Sequence, residues 1–260
     1  MNRRHRQTPP PAPAIAYGEH PDQVGNLHLP AGQGPFPVVV LLHGGFWRIG
    51  WDRTLMTPLA RDLAERGFAA WNVEYRRVGQ EGGGWPGTLL DVAAAVDHLA
   101  DVGGIDAMGV VACGHSAGGH LALWLAGRHR LPSEAPGANP AVRLRAVIAQ
   151  AAVADLAGGW SNGFGRDAIA AFLGGQPGDV PDRYRIADPI GLLPLGVPQV
   201  LVHGTTDEVV PLAQSRAYAC AAGAEAELVE LDGADHFDVI EPKHAAWRAV
   251  VERLPALFDN

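Results

Sequence analysis

Residues 108–118 read MGVVACGHSAG, and this stretch decides the fold. The apolar run from Met108 to Cys113 has no polar alternation, as expected of a strand buried on both faces of a parallel sheet. It stops at Gly114-His115-Ser116-Ala117-Gly118, and a helix is predicted over residues 117–127. G-x-S-x-G between a strand and a helix is a turn so tight that the serine is strained and its Oγ stands clear of the sheet. The glycines leave room for neighbouring backbone, and the helix directs its first N–H groups and its dipole toward the same spot.

The same alternation fills the rest of the chain. Residues 37–42 (PVVVLL) form a β-branched run that ends abruptly at His43-Gly44-Gly45. Residues 57–66 have apolar side chains at helical spacing, with Gly67 where a C-cap glycine belongs. Residues 68–75, 146–150, 199–203 and 225–231 read as strands. Residues 89–99, 167–172, 215–222 and 243–257 read as helices. Alternating strands and helices imply βαβ units with right-handed crossovers. The predicted fold class is therefore α/β, with a mostly parallel central sheet, helices on both faces and no large cap domain. One domain is expected over residues 15–260, after a Pro-rich tail at residues 1–14. The long connection at about residues 155–190 is expected to serve as a small lid or substrate wall.

In open sheets of this kind ligands bind beyond the carboxyl ends of the strands, so chemistry is sought there. A serine hydroxyl needs a base to take its proton. Of 11 histidines, His236 lies in Asp232-Gly233-Ala234-Asp235-His236-Phe237, just after the predicted strand ELVEL. His115 is expected to point away from the serine, His120 sits on the following helix, and His129 is flanked by arginines. The base needs an orienting carboxylate, and Asp207 follows the strand QVLVH in His203-Gly204-Thr205-Thr206-Asp207. Asp232 and Asp235 also lie near His236, but neither follows a suitable strand end. The order Ser116, Asp207, His236 matches one of the three chain orders in which such triads occur. A developing oxyanion needs prepositioned N–H donors. Ala117, next to the serine, supplies one, and the glycine-rich turn after PVVVLL supplies Gly45 and Phe46. Aromatic residues at strand ends and in loops, Trp47, Trp85, Trp160 and Phe164, are candidates for substrate contact.

Composition narrows the alternatives. With 260 residues, 47% hydrophobic and 18% charged, the chain can bury a full core. The net charge of −8 and a single lysine, Lys243, lack the basic footprint of nucleic-acid binding. Arg3, Arg4 and Arg6 read as a solvated start. Residues 7–14 are Pro-rich where a secretory signal would be apolar, and no apolar run reaches the ~18 residues of a membrane span. Two distant cysteines, Cys113 and Cys220, read as free thiols, giving a cytoplasmic expectation. His115 and His120 do not share a helical face, and no carboxylate completes a metal set. Gly82-Gly83-Gly84 does not fit a phosphate-binding loop, and no dinucleotide fingerprint follows the first strand. Neither cofactor nor metal is expected.

At these residues the sequence resembles the α/β-hydrolase superfamily, from about residue 17 to 258. His43-Gly44-Gly45-Phe46-Trp47 is similar to the kynurenine formamidase and hormone-sensitive-lipase-like esterase branch, as are Tyr75-Arg76-Arg77 and the H-G-x-x-D-x-x-V-P segment around Asp207. The resemblance implies cofactor-free hydrolysis of small carboxylic esters or formamides through an acyl-enzyme. Ser116 would be the nucleophile, His236 the base and Asp207 its orienter. Phe46 departs from the third glycine of lipase-like members. A kynurenine formamidase proper, or a peptidase or thioesterase, would use the same triad, because the triad leaves the leaving group open. A non-enzymatic binding module on this fold generally lacks a triad member, and here all three are present. The expected partner is a small-molecule ester or amide.

Overall fold

A computed structural model describes residues 12–259. Residues 1–11, most of the expected tail, lie outside the described residues. Ala14, which the sequence reading assigned to the tail, opens the first strand.

Among the described residues a sheet of eight strands runs in the order β1-β2-β4-β3-β5-β6-β7-β8. The strands are β1 (Ala14–Ala16), β2 (Val24–His28), β3 (Phe36–Leu42), β4 (Ala69–Val73), β5 (Ile105–His115), β6 (Ala146–Gln150), β7 (Gln199–Gly204) and β8 (Ala226–Leu231). Pairing is parallel from β4 through β8, while β1–β2 and β2–β4 are antiparallel. The two antiparallel strands are short and partly exposed, so no apolar run announced them. The β3–β5 pair shifts register between Pro37 and Val38, so β5 begins earlier than its apolar segment.

The PVVVLL run is apolar on both sides because both sides are covered. Val38, Val40 and Leu42 face one hydrophobic cluster, and Val39 and Leu41 face the other. The first cluster packs against α2 (Gly87–Asp97), α3 (Ala117–Gly127) and α7 (Ala213–Ala222). The second packs against α1 (Thr57–Glu65) and α8 (Ala245–Asp259), with Leu59, Leu63, Trp247 and Leu254 buried in it. The 155–190 connection folds into α4 (Leu156–Ser161), α5 (Arg166–Leu173) and α6 (Pro181–Ala187). The sequence pattern showed only the second of these, because α4 and α6, of six and seven residues, make fewer than two turns each and leave little periodicity to read.

β8 is the margin of the sheet and has one strand neighbour, β7. Two exposed ion pairs tie it to helices: Arg216 of α7 to Glu230 at 2.7 Å, and Arg253 of α8 to Glu227 at 2.5 Å.

Candidate active site

The carboxyl ends of β3, β5, β7 and β8 converge on a cavity of about 130 Å³. Ser116 lies in it at the junction of β5 and α3, with φ 56° and ψ −118°. That conformation is strained for a residue with a Cβ, and it is enforced by neighbours. The Ser116 N–H donates to the Gln150 carbonyl at 2.8 Å, and the Ser116 carbonyl accepts from His120 and Val153.

His236 also lines this cavity and is 4% exposed. Its Nδ1 lies 2.7 Å from Asp207 Oδ2. A carboxylate can only accept, so Nδ1 is the donor here, and in the neutral ring Nε2 keeps its lone pair. Asp207 does not reach the cavity but sits behind the imidazole. Its Oδ1 accepts the Val209 and Val210 N–H groups, both at 2.8 Å. Its Oδ2 also meets His203 Nε2 at 3.2 Å. Burial works against the Asp207 charge. The hydrogen bonds from His203, His236 and the Val210 N–H outweigh it and hold the carboxyl below the usual carboxylate range. The neighbouring carboxylates are engaged elsewhere. Asp235 accepts the Phe237 and Asp238 N–H groups, and Asp232 accepts the Thr205 hydroxyl.

His115 was expected to turn away, and the structure corrects this. It lines the same cavity, with its ring 4.6 Å from that of His236 and tilted by 48°. Its Nε2 donates to the His236 carbonyl at 2.9 Å, which ties the end of β5 to the loop after β8. Burial, then the nearby His236 charge, push its pKa down to about 3, so it stays neutral.

The turn after β3 approaches Ser116 from the other side. Gly45 has φ 113° and lies against Trp51, so closely that an added Cβ would stand 2.7 Å from the Trp51 Cβ. Phe46 and Trp47 follow with φ 50° and 56°. The third glycine of lipase-like sequences would sit without strain where Phe46 does. The Gly45, Phe46 and Ala117 N–H groups donate to no protein group among the described residues. The turn is pinned from below. The Tyr75 hydroxyl donates to the His43 carbonyl at 2.7 Å, and the two rings stack at 4.3 Å. His43 Nε2 meets the buried Glu74 at 2.9 Å.

The four candidate contact aromatics stand outside the cavity lining. Trp47 is fully buried beneath the turn, stacked on Phe172 at 4.6 Å, and its Nε1–H donates to His120 Nδ1 at 3.2 Å. His120 in turn donates from Nε2 to the Ala187 carbonyl. Trp47 is a support for the turn and has no face left for substrate. Trp85 packs against the core, and its N–H donates to the Phe172 carbonyl. Trp160 lies beneath the Arg166 guanidinium. Phe164 touches the outer side of Phe46, with ring centroids 6.2 Å apart. The aromatics that do line the cavity, beside the two histidines, are Phe46, Trp51 and Phe237, the last two half exposed and stacked on each other at 5.8 Å. An apolar residue inside the otherwise polar loop D-G-A-D-H-F-D was the signal for Phe237. Replacing Phe172 by Ala removes the support under Trp47. It is expected to cost about 3–5 kcal/mol of stability, read as a lower urea midpoint at unchanged m-value.

Strand order, the serine turn and the histidine loop together define an α/β-hydrolase fold, with a site suited to acyl transfer. Residues 26–221 match the BD-FAE family, and the chain belongs to that family. Esterase LipQ of Mycobacterium tuberculosis is 30% identical over 78% of the chain and 51% of its own length. Isoprenylcysteine alpha-carbonyl methylesterase ICME of Arabidopsis thaliana is 28% identical over 87% of the chain and 56% of its own length. The chain thus spans about half the length of the curated relatives it matches. Among solved structures, the thermophilic esterase Est2 of Thermogutta terrifontis, with propionate bound, is 25% identical. It has a TM-score of 0.75 over 95% of this chain and 93% of its own. A truncated carbohydrate esterase from gut microbiota has the same fold, with a TM-score of 0.82, 20% identity and 95% coverage of both chains. No helix among the described residues is long and apolar enough to cross a membrane.

Proposed function

We propose that the chain is a serine hydrolase of small carboxylic esters that works through an acyl-enzyme. The observation that carries this reading is the Asp207–His236 hydrogen bond of 2.7 Å behind a cavity lined by both His236 and Ser116. Ser116 Oγ attacks the ester carbonyl carbon while its proton passes to His236 Nε2. The carbonyl oxygen becomes an oxyanion, received by the N–H groups of Ala117, Gly45 and Phe46. The carbonyl re-forms, the bond to the alkoxy oxygen breaks, and the alcohol leaves with the proton from Nε2. Water then attacks the acyl-serine by the same route, giving the carboxylic acid and free Ser116. Asp207 stays ionised throughout and stabilises the transient imidazolium.

The cavity of about 130 Å³ favours a short or flat acyl group between Trp51 and Phe237. The esterase relatives, and the propionate held by one of them, point the same way. A formamide is the finer alternative because of the H-G-G-F-W turn, and one panel decides between them. p-Nitrophenyl acetate, butyrate and octanoate are assayed beside N-formylkynurenine, on the wild type and Ser116→Ala. Acetate and butyrate are expected to turn over faster than octanoate, and the variant to abolish all turnover. Faster turnover of N-formylkynurenine than of the esters would replace the ester reading by the formamide one. Turnover that survives in Ser116→Ala would remove both.

A further inference from the structure

A second recess, of about 470 Å³, lies on the outer side of the turn that carries Phe46, and Phe46 lines both spaces. The two differ in charge. The inner cavity has no arginine, lysine or carboxylate in its lining. The outer recess has Arg48 and Arg166, with Asp167 as the one opposing charge. The Arg48 backbone is fixed, its N–H donating to the Gly45 carbonyl at 3.0 Å, while its guanidinium has no acceptor among the described residues. Arg166 is held in place by the Trp160 carbonyl, which accepts from its Nε at 2.8 Å, and by the Trp160 ring 6.0 Å below. The chain as a whole carries −8, so an anionic ligand is repelled by the protein at large and met by cations here.

We propose that this recess is the leaving-group subsite, and that the preferred substrates are esters of carboxylate-bearing alcohols or phenols. The inference rests on the ester-hydrolase reading and adds the chemistry of the group released. The acyl part occupies the uncharged inner cavity at Ser116. The alkoxy part passes Phe46 and places its carboxylate between Arg48 and Arg166. The preference is a binding effect, so it enters KM for the anionic ester and leaves kcat largely alone.

The test compares 4-acetoxybenzoate with its methyl ester. The acyl group is the same, and the difference in chemical reactivity cancels when each variant is divided by wild type. Arg48→Gln combined with Arg166→Gln is expected to lower kcat/KM for the anionic ester about tenfold, the product of two exposed charge contacts. The same variant is expected to change the methyl ester less than twofold, which also shows that it is folded. The wild-type advantage for the anion should fade in 0.5 M NaCl. Arg130→Glu, on the turn that follows α3, changes the net charge by the same amount and is expected to leave the ratio of the two esters unchanged. Equal loss for both esters, loss for neither, or a matching shift in Arg130→Glu would overturn the subsite. A wild type that leaves the methyl ester intact, or a Ser116→Ala variant that still cleaves it, would instead overturn the ester-hydrolase reading, and the subsite with it.

Discussion

Asparagine at position 207 is expected to lower kcat for p-nitrophenyl acetate by about four orders of magnitude in a protein that still folds. The substitution is almost isosteric, so the effect comes from hydrogen-bond direction. Oδ1 accepts two backbone N–H groups at 2.8 Å, and only the amide oxygen of asparagine can do the same. The amide NH₂ is then left facing His236 Nδ1. It donates where the carboxylate accepted, and the imidazole proton moves to Nε2. A protonated Nε2 cannot take the proton of Ser116. Turning the amide around would restore the His236 contact but set NH₂ against both backbone N–H groups. A kcat loss of less than tenfold, with the urea midpoint unchanged, would remove Asp207 from the role assigned to it. Asp235 and Asp232 offer no substitute, since their carboxylates are engaged by other groups.

The second large effect is expected from one methyl group. Alanine at Gly118 would place its Cβ 2.1 Å from the Leu42 carbonyl oxygen and 2.5 Å from that of His43. Both are backbone atoms at the end of β3, so neither can swing aside, and β3 and α3 would have to part. A loss above about 4 kcal/mol follows, at the extreme of single substitutions. In a chain of this size that corresponds to a melting temperature roughly 10 °C lower or more. Gly191→Ala is the control, because nothing lies within 4 Å of its added Cβ, and it is expected to leave the melting temperature nearly unchanged. A Gly118→Ala protein as stable as wild type would mean that β3 and α3 do not approach this closely.

Some of this was legible in the sequence because the constraint is local. A glycine on each side of Ser116 marks a tight turn whatever surrounds it. A run such as PVVVLL is apolar on both faces only when both faces are covered. Asp207 and His236, which the structure brings within a hydrogen bond of each other, could be singled out because the alternation located the strand ends that carry them. Direction and distant pairing were not legible. Trp47 and Trp51 stand four residues apart in one glycine-rich turn, and nothing in their types says which goes down into the core and which to the cavity. Positive φ at Gly45, Phe46 and Trp47 decides it by reversing the chain between them. His115 was misread for the same reason: its neighbour 121 residues on, His236, comes alongside only once β8 is in place. The antiparallel β1 and β2 carry too few buried side chains to register as strands.

The place of β8 at the sheet margin has a consequence for how the protein fails. Ser116 and the turn after β3 belong to the middle of the sheet, whereas His236 follows its last strand. That strand has one strand neighbour, two exposed ion pairs to helices and the partly buried Leu228, Val229 and Leu231. From the inner strands the His236 loop is held by hydrogen bonds to His115 and Asp207. Margins open locally at a smaller free energy than the whole molecule unfolds. In rising denaturant His236 is therefore expected to depart before the surroundings of Ser116 melt, and the proposed esterase activity to disappear while helicity is still intact. Salt weakens the two ion pairs and brings that first loss earlier. On dilution the strand re-pairs against a standing template, so inactivation at this stage is reversible and quick to undo.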